Sequence, residues 1–300
     1  MAATPRFAFG RNWLRFLATI DQRSIAGAVK GLRRLLGDQL RGRTFLDLGC
    51  GCGLASLAAL HLGAREIQGV DCDADSVLAS NQLRARTGAP VAWHAAQLGD
   101  VLDPVFMASV PRADVVHSFG FLHHTGDLRR AVALAADRVR PGGRLVLGIY
   151  HKKRWLSALY ARAKRAYCTS GWLGRAALMT LHLLATGLWG LLRGKNLVAE
   201  IRGYRSRRGM DWWRDQTDWL GGHPFECATP AEVEALVAPL GFELEHRFTC
   251  SSVAAVNEYV FRSTREPVVL LPRNAPVVNL AAARARAEQD AAEHDAAEPR

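Results

Sequence analysis

The chain has 300 residues, of which 49% are hydrophobic and 22% charged, a balance that excludes an intrinsically disordered protein and allows one enlarged domain with a sizeable core. Its six cysteines are scattered and show no two-residue metal or redox spacing, so they are expected to be reduced. The amino terminus lacks the pattern of a secretory signal, and a cytoplasmic location is expected. The formal charge of +11 is concentrated rather than spread. Between His151 and Arg214 there are fourteen Lys and Arg against only Glu200 and Asp211. Charge of this kind is either a solvated face or a surface for an anionic partner.

From residue 7 to residue 40 apolar residues such as Trp13, Phe16, Ile25, Val29 and Leu32 recur at helical spacing. The pattern is interrupted near Asp21 and ended by Gly37, which predicts a helical cap over 1–41. Strands and helices then alternate. Strands are predicted at Thr44–Leu48, Ile67–Val70, Val91–His94, Val115–Ser118 and Leu145–Tyr150, with helices at Ala55–Leu62, Ala74–Arg86 and Leu128–Val139. Pro141-Gly142-Gly143 predicts a turn before the fifth strand. This alternation implies an α/β fold with a Rossmann-like parallel core at 42–151. Residues 152–222 interrupt it with a basic, apolar, helical insertion, expected to act as a lid. A helix at Pro230–Leu240 and strands at Phe242–Phe248 and Ala255–Phe261 complete the sheet over 223–262, and 263–300 reads as a loose tail.

The strand Thr44–Leu48 runs straight into Gly49-Cys50-Gly51-Cys52-Gly53 and a helical stretch. Glycines let the backbone approach a ligand, and a helix start supplies free amides. The spacing is GxGxG rather than the dinucleotide GxGxxG. Asp47 at the strand end would oppose a pyrophosphate but suit the ammonium and sulfonium of S-adenosylmethionine. Asp71 ends the second strand, where a carboxylate can accept from both ribose hydroxyls. Asp100 is placed to accept from the adenine amino group, and Ser118 leaves the fourth strand beside the crevice.

The run Asp47-Leu48-Gly49-Cys50-Gly51-Cys52-Gly53 with Val70-Asp71 resembles the first two motifs of the class I S-adenosylmethionine-dependent methyltransferases. That resemblance implies a seven-stranded sheet with an antiparallel last strand. Further marks are Phe9-Gly10-Arg11-Asn12-Trp13, Leu122-His123-His124-Thr125-Gly126, Arg208-Gly209-Met210, Asp218–Glu226 and Asn257-Glu258. These are similar to bacterial methyltransferase-domain proteins related to quinone-biosynthesis (polyprenyl benzoquinol) methylases.

Methyl transfer to a hydroxyl of a small lipophilic or aromatic acceptor is therefore the expected reaction. His124, and after it His123, is the candidate base, because histidine titrates near working pH. No metal is expected, since adjacent histidines diverge and no carboxylate joins them at ligand spacing. The alternatives are an RNA methyltransferase using the basic insertion and an NAD-dependent oxidoreductase. Ser118-Phe119-Gly120-Phe121 departs from the motif of enzymes that methylate exocyclic amines, which disfavours a nucleic-acid partner. The uncharged run 176–192 predicts peripheral membrane contact through 152–222, with Lys152, Lys153, Arg154, Lys164, Arg165, Arg193 and Lys195 facing anionic headgroups.

Overall fold

The computed structural model describes residues 9–194, 196–208, 212–249 and 256–266. The chain divides into the unit Met1–Arg265 and a second unit, Glu266–Arg300. The expected tail beyond Glu266, and Gly209 and Met210 of the Arg208-Gly209-Met210 mark, lie outside the described residues.

Two helices come first, α1 (Phe9–Leu17) and α2 (Gln22–Leu36). Asp21 breaks them for a physical reason: its Oδ1 accepts the Ser24 N–H at 2.8 Å and caps α2. The core follows as β1 (Thr44–Leu48), α3 (Leu54–His61), β2 (Glu66–Asp71), α4 (Ala74–Arg86), β3 (Gln97–Leu98), α5 (Pro104–Ser109) and β4 (Ala113–Phe119). After a 3-10 turn at Leu122–His124 come α6 (Leu128–Asp137) and β5 (Val139–Tyr150). The insertion is four helices, α7 (Arg154–Thr169), α8 (Trp172–Leu192), α9 (Leu197–Arg208) and α10 (Trp212–Gly221). Then α11 (Pro230–Val237) leads to β6 (Phe242–Phe248) and β7 (Val256–Ser263). The Thr229 and Glu232 side chains cap α11 reciprocally.

The seven strands lie in the order β3-β2-β1-β4-β5-β7-β6. The first five pair in parallel, and β7 runs antiparallel to both neighbours. This is the Rossmann-like seven-stranded sheet the motifs implied. Alternation along β1 separates two cores. Leu46 and Leu48 face α5, α6 and α11, while Phe45 faces α2, α3 and α4.

Four details differ from the sequence expectation. Val91–His94 is not a strand: only Trp93 bridges Ile67, and Val91 is 92% exposed. Burial of the Trp93 indole holds this segment, and the ladder starts later, where Gln97 and Leu98 meet Val70 and Asp71. Pro141-Gly142-Gly143 does not precede β5 but bulges within it, since Ala113 pairs with Val139 whereas Val115 pairs with Arg144. Gly142 takes φ +70 there, and a Cβ on Gly143 would lie 2.6 Å from the Asp114 carbonyl oxygen. Helix α5, capped by Asp103 and started by Pro104, was not foreseen. The last strand continues to Ser263, so the tail cannot begin there.

Candidate functional site

The loop after β1 has the shape its glycines require. Gly49, Gly51 and Gly53 adopt φ of +74, +54 and +80, a region that side chains disfavour. It is also tightly covered. A Cβ on Gly49 would lie 2.1 Å from Phe121, and one on Gly51 would lie 2.8 Å from Trp13. These aromatic rings form a lid directly over the glycine backbone.

Asp71 ends β2 beside this loop. Its Oδ2 accepts the Gly51 N–H at 3.0 Å, and its Oδ1 accepts the Asp73 N–H at 3.0 Å. Burial pushes its pKa up to about 6, against the lowering effect of those two donors. Asp100 follows Gly99, whose N–H donates to the Asp71 carbonyl at 2.9 Å. The Asp100 carboxylate accepts the Leu102 N–H at 2.9 Å.

Asp47 is buried and occupied on both oxygens. Oδ1 meets His117 Nδ1 at 2.9 Å, and Oδ2 accepts the Ser56 hydroxyl at 2.8 Å. Strand alternation decides which β4 residues join it. His117 and Phe119 line the crevice with Asp47, whereas Ser118 donates its hydroxyl to the Leu48 carbonyl at 2.9 Å. The crevice, about 310 Å³, is bounded on the α2 side by Leu32 and Leu35 and also touches Trp13 and Glu258. The sequence reading named Ser118 and missed His117 because the register of β4 against β1 is a tertiary fact. The thiols of Cys50 and Cys52 beside it are buried and neutral, with Cys52 pushed up to about 12 by desolvation.

Helix α1 crosses over three of these loops. The Gly10 N–H donates to Asp73 Oδ2 at 3.0 Å, Trp13 lies on Gly51, and the Phe9 ring sits 5.2 Å from His124. A side chain on Gly10 would strike Asp73, with its Cβ only 2.0 Å from Oδ1. The Phe9-Gly10-Arg11-Asn12-Trp13 mark is thus the underside of a cover.

The marks at 122–126 and 218–226 meet at the ends of β4 and β5. His124 Nδ1 lies 2.7 Å from the Pro224 carbonyl oxygen, the Glu226 N–H donates to the His123 carbonyl at 2.9 Å, and Glu226 Oε2 accepts the Leu128 N–H at 2.9 Å. Rings form a continuous chain here. Phe9 is 5.2 Å from His124, His124 4.5 Å from His123, His123 4.2 Å from Tyr150, and Tyr150 5.3 Å from Phe225. Lys164 of α7 is fully buried against this cluster. Its ammonium donates to the Trp219 carbonyl and lies 4.4 Å from the Trp219 ring centre and 4.9 Å from that of Phe225. It is therefore not one of the cations that can face headgroups.

The histidines do not titrate near neutrality, contrary to the sequence expectation. Burial pushes the pKa of His124 down to about 3, with the Lys164 charge adding to the effect and the Pro224 bond opposing it. His123 is also held well below its ordinary value by burial, with the charges of His124 and Lys164 adding to the effect and a hydrogen bond to the Gly148 backbone opposing it. Because a carbonyl can only accept, His124 Nδ1 must carry the proton, which leaves Nε2 a free lone pair. Among the described residues no group of three or more His, Cys, Asp or Glu is arranged to hold a metal ion.

Comparison with known proteins bears on this geometry. The family described as a methyltransferase domain matches residues 46–145, which run from β1 into β5. The ribosomal protein L11 methyltransferase of Azotobacter vinelandii is 39% identical over 118 residues, covering 39% of this chain and 37% of that protein. The protein of the same name from Xanthomonas axonopodis pv. citri is 36% identical over 152 residues, covering 49% of this chain and 43% of that one. The chain thus spans less than half the length of these curated relatives. They carry the name of L11 methyltransferases rather than of quinone-biosynthesis methylases, and they do not support that narrower resemblance.

Two solved structures share the fold. Magnesium protoporphyrin IX methyltransferase from Synechocystis PCC 6803 with bound S-adenosylhomocysteine has a TM-score of 0.52 at 15% identity, covering 85% of this chain and 94% of that one. An O-methyltransferase family protein from Burkholderia thailandensis has a TM-score of 0.50 at 16% identity, covering 79% and 55%. The sheet order, the glycine loop with Asp71 and the family match agree: this chain contains a class I S-adenosylmethionine-dependent methyltransferase domain.

Proposed function

We propose that this protein transfers the methyl group of S-adenosylmethionine to a hydroxyl of a small lipophilic or aromatic acceptor. The cofactor fits the residues present. Gly49, Gly51 and Gly53 hold the loop after β1 at positive φ, and Asp71 supplies two carboxylate oxygens at the strand end beside it. In this reading Asp47 adds negative charge toward the methionine end, and Asp100 accepts from the adenine amino group. When bound, the cofactor supplies an electrophilic methyl carbon.

The acceptor class rests on the chain of rings from Phe9 through His124, His123 and Tyr150 to Phe225 at the ends of β4 and β5. A flat or apolar molecule packs against such walls, whereas an RNA strand needs exposed cations tracking its phosphates. In this reading His124 Nε2 accepts the hydrogen bond of the acceptor hydroxyl and orients its oxygen. With a pKa near 3 it is a poor proton sink, so holding the oxygen in line accounts for most of the rate.

The names of the relatives favour a second reading, a protein acceptor. One experiment separates the two. The purified full chain is given cofactor carrying a labelled methyl group together with a panel of hydroxylated aromatics and quinols, ribosomal protein L11, and tRNA. Label recovered in an organic-soluble small product supports the proposal. Label in L11 or in tRNA overturns it in favour of that acceptor.

A further inference from the structure

We propose that α8 docks this protein flat against an anionic membrane surface. The 21 residues of α8 make a helix long and apolar enough to cross a bilayer, yet little of it is buried in the protein. Its two sides differ. One side is fastened: the His182 ring stacks on Trp219 at 4.7 Å, His182 Nε2 meets Gln216 Oε1 at 3.0 Å, and a Cβ on Gly190 would lie 2.9 Å from Leu197. The other side carries Leu173, Ala177, Leu181, Leu184, Leu188 and Leu191 at spacings of three and four, all exposed. Leu184 is 66% exposed, and the stripe ends beside Leu192 at 73%. A contiguous apolar face of this kind marks an interaction surface rather than scattered exposed leucines.

Charge and aromatic placement identify what covers it. From Arg154 to Leu192 there is no Asp or Glu, while Arg162, Arg165 and Arg175 are exposed and exposed Arg193 follows directly, its guanidinium 4.5 Å over the Trp189 ring. A second copy of this chain would bring an equally acid-free, positively charged segment, and the two would repel. An anionic lipid surface offers the opposite charge, worth about 1 kcal/mol per nearby cation. Trp172 and Trp189, both exposed, lie near the two ends of the helix, the residue type that prefers the headgroup boundary. The fastened side decides the orientation. A spanning helix would leave His182 and Gln216 without each other, so α8 lies in the interface with only its leucine face in lipid.

The docking stands on the surface of α8 and does not depend on the identity of the acceptor. It is tested by flotation of the full chain with phosphatidylcholine vesicles, with and without phosphatidylserine, at low and high salt. The wild type is expected to float with the phosphatidylserine vesicles and to be released by high salt. The double variant Leu184→Glu, Leu188→Glu is expected to lose binding by more than about tenfold, with an unchanged Tm, because both side chains are exposed. A wild type that stays unbound at low salt overturns the proposal. So does a dimer in analytical ultracentrifugation that the double variant dissolves, since the leucine face would then belong to a second copy.

Discussion

The glycine loop and the insertion handle their glycines and charges in opposite ways. Around β1 and β2, Gly49 and Gly51 are pressed against aromatic rings, and both oxygens of Asp47 and of Asp71 are engaged. In α8, a Cβ on Gly187 would make only an ordinary contact with Leu197 at 3.7 Å, and leucines face outward. The first region is shaped by contacts within the chain, whereas the leucine face of the second is exposed. Its residues therefore answer differently to the same substitution.

The largest expected difference comes from adding one methyl group. Gly49→Ala places a Cβ 2.1 Å from Phe121 at φ +74, and overpacking together with backbone strain should cost about 3 kcal/mol or more and abolish cofactor binding. Gly187→Ala meets only Leu197 Cδ1 at 3.7 Å in mid-helix and should stabilise by roughly 0.5 to 1 kcal/mol. Thermal unfolding and cofactor titration of both variants check this. Equal effects at the two positions would erase the contrast.

Asp71 offers the next largest effect, because its pKa of about 6 places its charge at the edge of the working range. If the ribose is held by the ionised carboxylate, cofactor affinity should tighten roughly tenfold between pH 5 and pH 7, as the ionised fraction rises. Asp71→Ala should weaken binding by about 2 to 3 kcal/mol and flatten the profile. Titration calorimetry across pH measures both, and a wild-type affinity that ignores pH removes the ribose role.

A smaller effect belongs to His124, on the insertion side. Its folded pKa, about 3, lies below the ordinary 6.5, so the fold prefers the neutral ring. Its contribution is complete above pH 6.5 and is lost as pH falls from there toward 3, by about 2 kcal/mol at pH 5. Asp71 has the opposite sign, since a raised carboxyl pKa costs stability as pH climbs from about 4 to 6. Comparing wild type with His124→Gln by denaturant unfolding at pH 7 and pH 5 isolates the histidine. A difference between the two proteins that does not change with pH would show that the ring is not held neutral by the fold.

Much of the architecture was legible in the sequence because local chemistry dictates it. Asp21 and Gly37 mark helix ends by capping, and short apolar runs placed β1, β2, β4, β6 and β7 to within about two residues. The glycine spacing and the acids at 47 and 71 pointed to the cofactor before any coordinates, since only a few backbones approach a ligand so closely. Strand register and burial were not legible. That His117 rather than Ser118 faces the crevice, that Pro141-Gly142-Gly143 is a bulge, and that Trp93 anchors its segment without a strand all follow from which chain lies alongside. The buried ammonium of Lys164 and the neutral rings of His123 and His124 likewise arise only where the insertion closes on β4 and β5. Sequence set the chemical groups and their local geometry; desolvation and pairing, which depend on distant segments meeting, decided their charge.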